Sequence, residues 1–149
     1  MKHLILLIVL FAACNQNKPK LSKEVNAVSN DTISPARKNV SKTPVAEYIV
    51  TMDAKLDRKF GVRIFETQQT FKYLLVMYYD AMVEKDTLTI PNFGMWPVVK
   101  VKPGNEKLSC IIGFLDVRND FREYKMLSAK NDHLKLTTLK IYGVATYYK

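Results

Sequence analysis

The stretch KLSCIIGFLDVRNDFREYKMLSAKNDHLKLTTLKIY, residues 107–142, decides the fold, because runs of apolar, β-branched and aromatic residues alternate in it with turn-forming pairs. Two Asn-Asp pairs, at 119–120 and 131–132, separate three such runs. Asn and Asp favour turns because they tolerate a left-handed backbone and hydrogen-bond their own main chain. Strands separated by short turns are typical of antiparallel hairpins. The runs are 107–116, 121–128 and 133–142.

The preceding part of the chain has the same character from Pro44 onward, with further strand candidates at 45–52, 62–67 and 97–102. Residues 53–61 fit either one or two helical turns or a polar loop. The segment FKYLLVMYYDAMV, residues 71–83, is apolar on both faces, which predicts a central strand covered on both sides or a helix of the same length. Its Tyr and Val residues favour the strand.

These patterns predict an all-β domain over residues 45–149, a small antiparallel β-sandwich or partly open barrel of about seven to nine strands. In the run 107–116, alternation places Cys110 on the same face as Ile112 and Phe114. We therefore predict that Cys110 is a small buried apolar residue rather than a reactive thiol.

The chain begins MKHLILLIVLFAACNQN, residues 1–17: a basic start, an apolar run from Leu4 to Phe11, and two alanines before Cys14. This is the three-part layout of a secretory signal peptide. Ten helical residues cover only about 15 Å, roughly half of a bilayer's hydrocarbon core. The run is therefore too short for a permanent transmembrane helix.

The small residue Ala13 followed by Cys14 and a polar segment resembles the lipobox of bacterial lipoproteins of the Bacteroidota type. The resemblance implies that residues 1–13 are removed and that Cys14 is acylated. Two or three acyl chains on one residue hold a protein firmly to a membrane. The resemblance also implies the outer membrane, because Cys14 is followed by Asn15 and not by the aspartate that typically retains such lipoproteins in the inner membrane. The lack of an acidic pair next to Cys14 favours the periplasmic face.

Residues 14–44 are rich in Asn, Ser, Lys and Pro, a composition that predicts a lipidated, flexible tether. Its lysines and Arg37 either contact anionic lipid or simply keep the segment soluble. The formal net charge of the whole chain is +9, but the sequence contains no dense cluster of Lys and Arg and no aromatic RNA-binding motif. We therefore expect no nucleic-acid partner.

Candidate chemistry is sparse in the mature chain, which contains one histidine, His133, and one cysteine besides Cys14. A nucleophile-base pair and a zinc site would each require more such residues. Carboxylates that could pair for glycoside hydrolysis are better explained as solvated side chains and turn caps. We predict a protein that is not an enzyme, has no metal or other cofactor, and is not expected to bind a small molecule.

The unusual stretch is TIPNFGMWPVV, residues 89–99, in which two prolines bracket aromatic and methionine side chains. Prolines interrupt strand pairing, so the stretch predicts a stiff connection. This loop either plugs the open end of the sandwich with its aromatic residues or presents them to a partner. The candidate binding residues are Asn92, Phe93, Met95 and Trp96.

A similar choice applies to Tyr142, Tyr147 and Tyr148, which either pack half-buried against the domain or contact sugars or protein. Taken together, the sequence predicts a lipid-anchored binding protein of the cell envelope, an accessory or structural component of an envelope assembly with an envelope protein as partner. The alternative is an inhibitor or immunity lipoprotein that binds and neutralises a target enzyme or toxin.

Overall fold

A computed structural model describes residues 33–143 of the chain, and within that range every regular element is a strand. The strands form two four-stranded antiparallel sheets, and in each sheet strands that follow in sequence lie side by side. The N-terminal sheet contains β1 (Ala46–Asp53), β2 (Arg58–Glu66), β3 (Lys72–Asp80) and β4 (Met82–Thr89). The C-terminal sheet contains β5 (Val98–Pro103), β6 (Ser109–Leu115), β7 (Phe121–Lys130) and β8 (His133–Thr138). The all-β prediction is confirmed, as a sandwich rather than a closed barrel.

The core lies between the inner faces of the two sheets, where β1 lies against β5 and β2 against β7. Because successive side chains of a strand point to opposite faces, the apolar side chains on the inner face of each sheet fill this layer. Cys110 is fully buried there, as the sequence predicts, and burial raises the pKa of its thiol to about 12. The other buried core residues are Phe60, Val62, Ile64, Tyr73, Leu75, Met77, Leu88, Ile90, Val99, Ile112, Phe114 and Leu127.

The segment 71–83 is strand, but it does not continue as one element. A two-residue turn at Asp80-Ala81, with φ of 55° at Asp80, divides it into β3 and the start of β4. As predicted, β3 is a central strand, between β2 and β4, but its outer face is covered only in part: Val76 is 8% exposed, whereas Leu74 and Tyr78 are half-buried. Side chains of the same sheet partly cover that outer face, as where the Arg63 guanidinium lies 5.6 Å from the centre of the Tyr78 ring.

The hairpin turn between β7 and β8 lies at the Asn-Asp pair from which the sequence predicts it. Asn131 and Asp132 both have positive φ, 51° and 59°, and join β7 to β8 in a two-residue hairpin. This combination is typical of a type I′ turn, whose twist matches that of paired strands. The ambiguous residues 53–61 contain a turn and the first part of β2 rather than a helix.

Residues 33–44 lie against the domain, whereas the sequence predicts a flexible tether as far as residue 44. Ile33 is 6% exposed, and Ala36 forms an isolated antiparallel bridge with Gln69. The composition of residues 33–44 does not indicate that they pack on the domain, because only a few of them make the contacts. Their partners are in the β2–β3 turn, which is distant in the chain. The predicted boundary between tether and domain is therefore too late in the chain.

Candidate functional site

The connection between β4 and β5 crosses from one sheet to the other at one end of the sandwich, here called the loop end. The β2–β3 and β6–β7 turns lie at this same end. The connection is held at both of its own ends: the Ile90 amide donates to the Phe71 carbonyl at 2.9 Å, and the Tyr73 hydroxyl donates to the Pro97 carbonyl at 2.9 Å. Because Ile90 and Tyr73 are buried, both attachments are rigid.

Within the connection, Asn92 and Gly94 shape a tight turn. The Gly94 amide donates to the Asn92 Oδ1 at 2.9 Å, and Gly94 has a φ of 74°. A side-chain oxygen that accepts from the backbone two residues later mimics a backbone turn, and glycine adopts this φ without steric strain. The turn therefore separates Phe93 from Trp96 and directs them to different surroundings.

Phe93 turns towards the core, as the plug interpretation predicts. Its ring stacks on buried Phe114 at a centroid distance of 5.3 Å. Phe114 also makes an edge contact with Tyr142 at 5.1 Å, and the Tyr142 hydroxyl donates to the Glu123 carbonyl at 2.8 Å. Tyr142 thus packs half-buried against the domain, the simpler of the two options that its sequence context leaves open.

The rings of Phe93, Phe114 and Tyr142 border an open cavity of about 290 Å³, here called the aromatic cavity. The polar part of its wall is an ion pair between Asp116 and Arg122, in which Arg122 Nε donates to Asp116 Oδ2 at 2.7 Å. Partial desolvation opposes ionisation of Asp116, but the hydrogen bond from Arg122 and two backbone amides outweigh it and lower the pKa of this carboxyl. Arg122 also lies 3.7 Å from Asp120 Oδ2, so its charge is shared between two carboxylates.

Trp96 lies on the other side of the turn and is 54% exposed. It borders a second cavity of about 300 Å³, here called the Trp96 groove, between the loop and the N-terminal segment. Lys38 and Asn39 lie exposed along the same groove. Met95 and Asn92 are half-buried. The four loop residues that the sequence singles out are thus brought to one end of the domain, with Phe93 and Trp96 facing different cavities.

Arg37 lines the Trp96 groove. The sequence places this residue in the predicted tether and gives no sign of a role in the domain. Its side chain is 5% exposed, and its Nε lies 3.2 Å from Glu66 Oε1. The guanidinium lies 4.6 Å from the centre of the Tyr73 ring. Since Tyr73 also holds Pro97, the arginine links the N-terminal segment to the attachment of the loop.

Neither His133 nor Cys110 is brought to the loop end. Cys14, Tyr147 and Tyr148 lie outside the described residues. His133 is exposed at the β7–β8 turn, and Cys110 is buried in the core. Residues 33–143 contain no group of three or more His, Cys, Asp or Glu side chains placed to hold a metal ion. Nor does this described part include a helix with the length and apolar character needed to cross a bilayer.

Comparisons of the chain with protein-family models, with curated proteins and with solved structures find no match. The candidate site is therefore described by its own geometry: a rigid, doubly attached loop that carries one tryptophan above a groove.

Proposed function

We propose that this chain is a lipid-anchored binding protein of the bacterial envelope that acts without catalysis, as an accessory or structural component of an envelope assembly. Acylated Cys14 holds it to the outer membrane, on the periplasmic face. The loop carrying Trp96 binds an envelope protein.

The exposure of Trp96 on a rigid loop is the observation that supports this proposal most strongly. A tryptophan that only completes a core loses most of its surface, whereas Trp96 keeps 54% exposed while the loop on both sides of it is attached to buried residues. Aromatic side chains held in place before binding lose little conformational entropy on association and supply a large contact area. Trp96 is therefore suited to be the central contact of a protein interface.

The substitution Trp96→Ala is expected to weaken partner binding by roughly 30-fold or more, the effect of losing an interface anchor worth about 2 kcal/mol. The melting temperature should change little, because the side chain contributes little to the core. Binding is measured by affinity capture from detergent-solubilised envelopes, followed by titration of the captured partner; melting is followed by circular dichroism.

A matched control is Val83→Ala, which shortens an apolar residue of β4 that is 56% exposed and distant from the loop end. We expect this variant to bind the partner as the original protein does. Equal binding by the Trp96 and Val83 variants would contradict the assignment of the loop as the binding site.

The anchor has its own test in Cys14→Ala. Without the thiol no thioether to lipid can form, so we expect the precursor to remain uncleaved or the product to be released from membranes as soluble protein. Fractionation and mass spectrometry of the N-terminus distinguish the forms. A cleaved Cys14→Ala product that stays in the membrane fraction would contradict lipid anchoring through this residue.

A further inference from the structure

The two sheets carry different charge. Residues 46–89, which span the N-terminal sheet, include six Lys and Arg and seven Asp and Glu, a net charge of −1. Residues 98–138, which span the C-terminal sheet, include eight Lys and Arg and five Asp and Glu, a net charge of +3. The basic excess of the domain is thus concentrated on one of its two layers.

The strand register places most of this excess on the outer face of the C-terminal sheet. Outward positions alternate with the core residues, and four of them are exposed lysines without a carboxylate partner within salt-bridge distance in the described residues. The one acidic residue at an outward position, Glu123, pairs with Lys140 at 3.4 Å. The four lysines are Lys100, Lys102, Lys130 and Lys135.

Apolar side chains lie among these lysines. The Phe121 ring lies over Gly113, where an added Cβ would come 2.7 Å from the ring, and Lys102 Nζ lies 4.3 Å from the ring centre. Ile111 and Met126 are only half-buried on the same face. A layer of half-exposed apolar groups with ammonium groups around it has the character of surfaces that rest on a lipid headgroup region.

We propose that the outer face of the C-terminal sheet, here called the lysine face, docks on an anionic lipid surface. Charge complementarity selects this occupant, because the four ammonium groups have no carboxylate within salt-bridge distance among residues 33–143 and phosphate groups of lipids supply the matching charge. An acidic protein offers the same charge. The membrane is favoured because half-buried Ile111, Phe121 and Met126 lie among the ammonium groups, and a lipid headgroup region accommodates apolar and cationic side chains together.

Docking on this face is independent of the lipid on Cys14 and of the partner of Trp96, so it is tested without either. The chain from Asn15 to Lys149 lacks the acylated cysteine and keeps all eight strands, and circular dichroism verifies that it is folded before use. This protein is sedimented with vesicles of phosphatidylcholine alone or of phosphatidylcholine with phosphatidylglycerol. We expect binding to the anionic vesicles only, and weaker binding as salt is added.

The double variant Lys100→Gln/Lys102→Gln is expected to bind anionic vesicles about 30-fold more weakly, since each lysine near an anionic surface contributes about fivefold in affinity. The matched control is Lys72→Gln/Lys85→Gln, which removes the same charge from the outer face of the N-terminal sheet. We expect that control to change binding less than about threefold. Circular dichroism verifies that both double variants are folded.

Three results would overturn the proposal. The first is the same loss of vesicle binding in both double variants, which would indicate attraction by net charge alone. The second is equal binding of the original protein to neutral and anionic vesicles. The third is no vesicle binding at all, together with binding to polyglutamate that is lost in Lys100→Gln/Lys102→Gln; that pattern would make the lysine face a site for acidic protein.

Discussion

Replacing Arg37 by alanine is expected to lower the free energy of unfolding by about 3 kcal/mol, the low end of the loss for a buried ion pair, because the Glu66 side chain is 23% exposed. For a domain of this size the melting temperature should fall by roughly 12–20 °C. The change is measured by thermal and urea unfolding followed by circular dichroism. A solvated residue in a segment rich in Lys, Asn and Ser would change the stability by less than about 0.5 kcal/mol, so the two outcomes are easily distinguished.

The reason lies in what the guanidinium satisfies. Its nitrogens donate to the carbonyl oxygens of Thr67, Gln69 and Thr70 at 2.9, 2.7 and 2.5 Å, which together hold the β2–β3 turn. Its Nε pairs with Glu66. Alanine would remove this donor from the part-buried carbonyls of Thr67 and Thr70, whereas Glu66 keeps the Ser41 amide and Gln69 keeps the Lys72 amide. Part-buried polar groups that lose a donor are destabilising.

Two variants make the result specific. Arg37→Lys keeps the charge but replaces the planar fork of donors by a single ammonium group, so it should recover only part of the lost stability. Lys38→Ala removes the adjacent, exposed cation and should change the free energy of unfolding by less than about 0.5 kcal/mol. If Arg37→Ala is as stable as Lys38→Ala, the attachment of residues 33–44 to the domain is refuted.

The second large effect is expected for Gly61→Ala, which should lower the free energy of unfolding by about 3 kcal/mol or more. Gly61 pairs with Ile49 across β1 and β2, and its φ is 148°. A Cβ at this position would lie 1.9 Å from the Tyr48 carbonyl oxygen and 2.9 Å from the Ile49 Cα. Because the obstructing atoms belong to the backbone, a side-chain rotation cannot relieve the overlap, and β1 must move away from β2. Urea unfolding measures the loss.

Two of the other glycines, Gly94 and Gly143, provide graded controls for this prediction. Gly94 also has a positive φ, 74°, but an added Cβ there meets nothing within 4 Å, so Gly94→Ala should cost only about 1 kcal/mol from backbone strain. Gly143 has the same open surroundings without a positive φ, and Gly143→Ala should be nearly neutral. The expected order is thus Gly61, then Gly94, then Gly143. Equal losses at Gly61 and Gly94 would exclude the backbone overlap as the cause.

Sequence reasoning predicted the parts of the fold that depend on local patterns. Alternation of apolar residues identified β6, and the pair Asn131-Asp132 identified a hairpin turn, because each pattern follows from neighbouring residues alone. It did not identify β4 as a separate strand. At the edge of its sheet β4 has exposed residues at seven of its eight positions, so its sequence lacks the alternation that marks a half-buried strand.

The candidate site was predicted only in part, for a related reason. Two prolines around an aromatic cluster identified the loop, since their effect on the backbone is local. The sequence could not predict which aromatic residue of the loop is buried and which is exposed, because this depends on contacts with distant parts of the chain. Phe93 packs on Phe114, whereas Trp96 borders the segment that contains Arg37. Nor did the residues around Arg37 provide a signal for its role, because its partners are backbone carbonyls, which every sequence has.

Photo-crosslinking from the Trp96 groove in intact outer membranes tests whether the loop recognises an envelope protein. A photoreactive residue is placed at position 38, which borders the groove, in the otherwise original protein and in Trp96→Ala. We expect one recurrent adduct with an envelope protein, lost in the Trp96→Ala background. An adduct of the same yield with and without Trp96, or no adduct at position 38 alongside a strong one from position 83 on the opposite part of the domain, would contradict recognition by the loop.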